Sequence, residues 1–297
     1  MSEVSPEPRQ LRALVALTDE GTFTDAAIRL GVTQSAVSRL IAALEAAVGV
    51  PLVERTTRSV ALTDAGRRTY RAAVLALTAL DDVTHAARGT SRPLRLGYSW
   101  AALGSYTSPV LREWRSRHPD VPLEVHRVDE RSAGLTRGVA DVAVVRGDLP
   151  DSTWASRLVV REPRLAALAR THELASRPGV TLADLRHDTL VTTAYGTTTV
   201  ELWPADARPS STLWVDNLDE WLTEIAGGLG IGVTAAATAG QHAHPGVVFV
   251  PLDGVAPIPV RLAWPAAHPH PAVERFVDLV SEVVAGQASA TTSNRSV

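Results

Sequence analysis

Three glycines, at positions 21, 31 and 49, cut the first fifty residues into three short amphipathic runs, and that punctuation leaves few folds open. A helix fits Arg9 to Glu20, where Leu11, Leu14, Val15 and Thr18 recur at i, i+3, i+4 and i+7. Gly21 ends it. Thr22 or Thr24 suits the cap of a second helix through Leu30, which would bury Phe23, Ala26, Ala27 and Leu30. Gly31 breaks that helix, and Thr33 is an N-cap for a third from about Gln34 to Val48, with Gly49 at its C′ position. Two helices joined by a tight turn containing glycine make a helix-turn-helix.

The third helix has two faces. Val37, Leu40, Ile41 and Leu44 form the inward stripe, while Gln34, Ser35, Ser38 and Arg39 lie off it at the N-terminal end beside Thr33. In a major groove, Gln favours adenine, Arg favours guanine, and Ser is permissive. A plain surface helix with an uncharged polar start is the alternative from this helix alone. The next stretch of chain favours the DNA reading: Leu52–Arg55 and Val60–Thr63 are strand-like runs around Thr56-Thr57-Arg58-Ser59. A hairpin with Arg55 at its base and Arg58 at its tip is a wing placed to touch phosphates. Over the whole chain the formal charge is −3, yet residues 31–71 hold six Arg against Glu45, Glu54 and Asp64. Phosphate contact depends on such local surplus.

Thr63 can cap a long helix from Asp64 to about Arg88, along which Tyr70, Val74, Leu77, Leu80 and Val83 or Thr84 recur every three or four residues. Such a seam pairs with a copy of itself or lies on its own domain, and its length and narrowness favour the pair. Thr90-Ser91-Arg92-Pro93 reads as a linker. Beyond it strands and helices alternate, the mark of an α/β architecture. Strands are expected at 94–98, 122–128, 142–145, 158–160, 165–168, 190–192, 213–215, 231–234, 247–250 and 260–264. Helices are expected at 105–118, 133–138, 218–226 and 272–284, with another beginning at 197–203. The tail from Gly286 is small and polar, and is expected to be disordered.

Residues 11–66 carry Gly-Thr-Phe-Thr-Asp-Ala-Ala, Val-Thr-Gln-Ser-Ala-Val-Ser-Arg, Gly-Val-Pro-Leu-Val-Glu-Arg and Leu-Thr-Asp-Ala-Gly without a gap, and they resemble the DNA-binding segment of LysR-type transcriptional regulators. Leu-Arg-Leu-Gly-Tyr at 94–98, Arg-His-Pro-Asp-Val-Pro-Leu-Glu at 117–124, Gly-Val-Ala-Asp-Val-Ala-Val-Val at 138–145 and Gly-Gly-Leu-Gly-Ile-Gly at 227–232 extend the resemblance to the family's effector domain. The resemblance implies a winged helix-turn-helix at 1–63, a linker and dimerisation helix at 64–91, and a two-lobed α/β effector domain at 92–285 like a type 2 periplasmic binding protein. Lobe one would take about 92–160 and 262–285, lobe two about 161–261, with the tail at 286–297. It further implies a homodimer paired by the linker helix and assembled into a tetramer, double-stranded DNA as partner, and a small-molecule effector between the lobes.

Some motifs could carry chemistry. Gly97-Tyr98-Ser99-Trp100-Ala101 sits between a strand and a helix, as a nucleophile elbow would, but it ends in Ala and no His stands in an independent catalytic motif. Ser99 is better placed near a helix start to hold a ligand carboxylate, or simply to cap that helix, with Trp100 lining the pocket. In the second lobe Tyr195-Gly196-Thr197-Thr198-Thr199 follows the strand expected at 190–192, with Thr193 between them, and opens a helix. Gly196, Thr197 and Thr198 there suit an anionic or polar effector, with a simple Thr cap as the alternative. Asp129 to Arg131, Arg146 and Asn217 fall at strand ends facing the same cleft.

The pairs His242/His244 and His268/His270 lack nearby carboxylates or cysteines, so no metal is expected. Gly228-Leu-Gly230-Ile-Gly232 has the wrong spacing for a dinucleotide loop, and no cofactor is expected. With no apolar run of about 18 residues and no basic, apolar leader at Met1, the chain is expected in the cytoplasm. Two rivals stay open at this point: an enzyme that uses the helix-turn-helix for targeting, and a DNA-binding protein whose α/β part only assembles the oligomer.

Overall fold

The structure, a computed structural model, describes residues 5–55, 60–149, 153–196 and 198–293. It divides into two units, Met1–Arg92 with Thr136–Gly138, and Pro93–Leu135 with Val139–Val297.

The first unit opens with α1 (Pro8–Glu20), α2 (Phe23–Leu30) and α3 (Gln34–Val48). Each helix ends where a glycine takes the left-handed conformation: Gly21 at φ 75°, Gly31 at 66° and Gly49 at 76°. Thr22 and Thr33 accept hydrogen bonds from the N–H groups of Asp25 and Ala36 and so start the next helix. Leu14, Leu17, Ala26, Val37, Ile41 and Leu44 form the core between them. Strands β1 (Val53–Arg55) and β2 (Val60–Leu62) pair antiparallel as the hairpin. Glu45 of α3 fixes its base, where one carboxylate oxygen accepts from the N–H of Leu52 at 2.8 Å and of Val53 at 3.1 Å.

The long helix α4 (Asp64–Ala87) is capped by Thr63, which accepts from Gly66 N–H at 2.9 Å. Here the seam expected from the sequence splits. Tyr70 and Val74 are buried in this unit's own core, and the Tyr70 hydroxyl donates to Asp19 at 2.8 Å. Leu77 is half-buried, whereas Leu75, Leu80 and Val83 are exposed. A straight helix turns 100° per residue, so a row of every-third-or-fourth apolar positions drifts off the domain as it lengthens.

The second unit is α/β and two-lobed. Its first lobe holds β3 (Leu94–Tyr98), β4 (Leu123–Arg127), β5 (Val142–Arg146), β6 (Trp154–Glu162) and β13 (Ile258–Pro265), with β1 to β13 numbered along the chain. They form one sheet in the order β4-β3-β5-β13-β6, parallel through β4, β3 and β5 and antiparallel at β13. Helices α5 (Thr107–Arg117) and α8 (Val273–Ser293) pack on it, with Trp114 and Phe276 edge to face at 5.3 Å. The second lobe holds β7 (Arg164–Ala169), β8 (Val180–Thr181), β11 (Gly232–Ala235) and β12 (Val247–Asp253) in the order β11-β7-β12-β8. Beside them lies the parallel pair β9 (Thr189–Thr193) and β10 (Ser211–Val215). Helices α6 (Leu218–Ala226) and α7 (Ala236–Gln241) complete this lobe. The chain crosses between lobes at Pro163 and returns before Ile258, slightly earlier than the 261/262 boundary expected.

Three expected features are absent or different. Residues 133–138 form turns, because Ala133, Gly134 and Gly138 take positive φ and interrupt any helix. Of the helix expected to begin at 197–203, the described residues 198–203 form only a single 3₁₀ turn at Val200–Leu202, which comes after extended Thr199 and stops before Pro204. At the other end α8 continues past Gly286 to Ser293, with alanines that favour helix on both sides of that glycine.

Candidate functional site

In the first unit, Thr33, Gln34, Ser35 and Arg39 are exposed at the start of α3, and Ser38 is half-buried on its flank. The Thr33 and Ser35 hydroxyls lie 3.0 Å apart. Opposite them Val37, Ile41 and Leu44 are buried, so the polar end faces solvent while the apolar stripe anchors the helix. Of the wing arginines, Arg55 closes β1 with its side chain outside the described residues, and Arg58 lies wholly outside them. Arg29 points elsewhere, bonded to Asp19 at 2.8 Å and Glu20 at 3.2 Å.

The second unit has a cavity between its lobes. Ser99, Trp100 and Arg146 line it from the first lobe, Thr193, Gly196 and Thr198 from the second. Thr197 lies outside the described residues. Two expected members are elsewhere. Asp129 makes a bidentate pair with Arg127 at 3.0 Å and is absent from the lining. Asn217 caps α6, accepting from Glu220 N–H at 3.0 Å and donating to the Glu220 carboxylate at 2.9 Å. Nor does Ser99 start a helix: a bend and a turn through Ala102 (φ 38°) and Gly104 separate it from α5.

Most polar groups on the cavity wall already have partners. Thr192 donates to the Thr198 carbonyl at 2.8 Å, the Thr234 and Thr238 hydroxyls pair at 2.8 Å, and Trp221 Nε1 donates to the Val191 carbonyl at 2.8 Å. Arg164 reaches the Thr198 hydroxyl at 3.3 Å. Arg146 is held by both oxygens of Glu162 at 3.0 and 3.1 Å, with both side chains nearly buried. Among the described residues of this wall, three buried side-chain atoms make no hydrogen bond of full geometry within the protein: Trp100 Nε1, Thr193 Oγ1 and the Tyr195 hydroxyl. Trp100 stands edge-on to Tyr195 at 6.2 Å and tilted against Trp221 at 5.4 Å. Burial raises the Tyr195 pKa above its ordinary value of 10.0; the nearby Trp100 indole and Arg127 oppose the shift and Asp129 adds to it.

Trp221 is a wall residue that the sequence reading misses, but the glycine run holds a signal for it. A Cβ on Gly232 would sit 2.0 Å from the Trp221 ring, and one on Gly230 would sit 2.3 Å from the Thr189 carbonyl. These glycines serve close approach of ring and strand, not a phosphate. Among the described residues no group of three His, Asp or Glu side chains is arranged to hold a metal, and no helix is long and apolar enough to cross a membrane.

Residues 8–67 match the family described as bacterial regulatory helix-turn-helix protein, lysR family, and residues 87–285 match the LysR substrate binding domain. The uncharacterized HTH-type transcriptional regulator YnfL of Escherichia coli is 34% identical over 192 residues, covering 62% of this chain and just under two thirds (65%) of YnfL. The Hca operon transcriptional activator HcaR of Escherichia coli is 30% identical over 94% of this chain and 98% of its own. The crystal structure of CbnR, a LysR family transcriptional regulator, superposes with a TM-score of 0.64 at 25% identity, over 94% of this chain and 99% of CbnR. Full-length CbnR in complex with its target DNA gives a TM-score of 0.62 at 23% identity, over 93% and 99%. These relatives are transcriptional regulators, not enzymes, and the chain belongs to the LysR family of DNA-binding transcriptional regulators.

Proposed function

We propose that this regulator reads a two-fold-related DNA site with the exposed start of α3 and answers to a small molecule held in the cleft of its second unit. The observation that carries the DNA half is the split of α3. Gln34, Ser35 and Arg39 are in solvent at a capped N-terminus, and the opposite stripe is fixed in the core. Side chains so placed reach base edges when the helix end enters a major groove, and Arg55 and Arg58 of the wing serve phosphates. CbnR, similar over nearly its whole length, has been crystallised with its target DNA. The protein works where the DNA is, in the cytoplasm.

Assembly rests on α4. Its exposed Leu75, Leu80 and Val83 form the apolar edge for pairing with a second copy, in place of the buried Tyr70 and Val74. Two paired copies carry two reading helices, and two such dimers give the tetramer that the family resemblance implies. Ligand held by both lobes would alter their closure and, through it, the spacing of the DNA-binding heads. Selection from random duplexes with the full chain tests this directly. The expected product is a motif of two half-sites in two-fold relation, reduced to a single half-site in a Leu80→Asp, Val83→Asp variant. Recovery of no motif would refute DNA reading, and an unchanged paired motif in that variant would refute the α4 pairing.

A further inference from the structure

The charge and hydrogen-bond state of the cleft narrows what it can hold. Two helix starts would favour an anionic effector, and the described residues form neither: Ser99 lies in a bend, and extended Thr199 comes after Thr198. The one nearly buried cation on the wall, Arg146, is spent on Glu162 in a bidentate pair. At the rim Arg131 is exposed, where its charge is screened by water, and Asp148, which is 86% exposed, brings the opposite sign. A carboxylate drawn inside would therefore lose its hydration without meeting an unpaired buried cation among the residues that line the cavity, since the half-buried Arg164 reaches the wall only through the Thr198 hydroxyl.

What the cleft does offer is uncharged. Thr193 is only 2% exposed, and its hydroxyl has no partner in the protein. Trp100 Nε1–H is a donor only; it comes near the Tyr195 hydroxyl without a hydrogen bond of full geometry, so an acceptor on a ligand would complete it. The Tyr195 hydroxyl can donate or accept, and burial further favours its neutral form. Buried polar atoms left unpaired are costly, so a ligand that bonds them recovers that cost as affinity. Around them stand the rings of Trp100, Tyr195 and Trp221, surfaces suited to a flat apolar body. The cavity is about 30 Å³, room for a couple of waters, so the lobes must part to admit even one ring.

We propose that the effector is a small, uncharged, planar molecule bearing an acceptor oxygen, such as an aryl carbonyl compound or a phenol, bonded by Trp100, Thr193 and Tyr195. This rests on the reading of the cleft as the effector site. The test uses full-length protein and matched probes: benzamide and 4-hydroxybenzaldehyde against benzoate and 4-hydroxybenzoate, titrated to millimolar concentration. Thermal stability and tryptophan fluorescence report binding. The neutral member of each pair should bind at least about tenfold more tightly, and Thr193→Val and Trp100→Phe should each weaken it by about tenfold. Tighter binding by the carboxylates, lost in those two variants, would overturn the ligand class while leaving the cleft as the effector site. Binding by either series that survives both variants would overturn the cleft itself. Binding by no probe would overturn the proposed class and leave the DNA reading to its own test.

Discussion

At the start of α3 the polar side chains stand in water; along the cleft of the second unit they stand out of it. Gln34, Ser35 and Arg39 are solvated and exchange water for bases only when DNA arrives. Trp100 Nε1, Thr193 Oγ1 and the Tyr195 hydroxyl are buried and bond no protein acceptor or donor with full geometry, so a ligand that pairs with them gains more than it would from groups in open solvent. The difference sets how each surface can be recognised. A surface that meets a large, charged, hydrated partner needs only a fixed frame, and here buried leucines and capping threonines supply it. A site for a small molecule must take its discrimination from groups that are unsatisfied without it.

The largest effect expected from breaking this contrast lies in the frame of the cleft. Gly232→Ala would drive a methyl group to 2.0 Å from the buried Trp221 ring and should cost about 3 kcal/mol, seen as a lower melting temperature and altered tryptophan fluorescence. Affinity for random duplex DNA should stay as it is. An unchanged melting temperature would mean that the ring does not lie on β11.

Next in size is a matched pair of neighbours on β9. Thr192→Val removes a hydroxyl that donates to the Thr198 carbonyl at 2.8 Å, and should destabilise the protein by about 1 kcal/mol. Thr193→Val removes a buried hydroxyl with no partner, and should stabilise it by about 1 kcal/mol. Denaturant unfolding reads both, and two changes of the same sign would erase the distinction drawn between these walls.

The smallest effect is a pH dependence. Burial, aided by Arg127 and opposed by Asp219, holds the His242 imidazole below its ordinary 6.5. The unfolded chain therefore takes up the proton first as pH falls, so stability is complete above about 6.5 and declines below it, levelling off once the folded imidazole also protonates. His242→Gln should flatten that decline in melting temperature, and an unaltered slope would assign it to other groups.

The same contrast explains what can be read from the chain. Helices α1 to α4 are legible because their signals are local: Thr22, Thr33 and Thr63 cap α2, α3 and α4, and Gly21, Gly31 and Gly49 stop α1, α2 and α3. The cleft is assembled from residues far apart in sequence, and local signals mislead there. Asn217 proves to be a helix cap and Asp129 a partner for its neighbour Arg127, roles that a strand-end position does not distinguish from ligand binding. Ser99, Trp100, Arg146, Thr193, Gly196 and Thr198 do meet in one cavity. Whether their polar atoms are spent depends on long-range partners such as Glu162 for Arg146 and Arg164 for Thr198, which no local pattern announces. Along α4 the periodicity is visible in the sequence, but which part of it faces its own domain is not.

The most direct test of the account is the ratio of specific to non-specific DNA affinity in a Gln34→Ala, Ser35→Ala variant. Both side chains are exposed and uncharged, so stability and binding to random duplex should hold, because that binding is set by phosphate contacts. The specific site should lose about 1–3 kcal/mol, roughly a tenfold to hundredfold fall in the ratio, confined to one or two base positions. An unchanged ratio with unchanged base preference would contradict the placement of α3 as the reading helix.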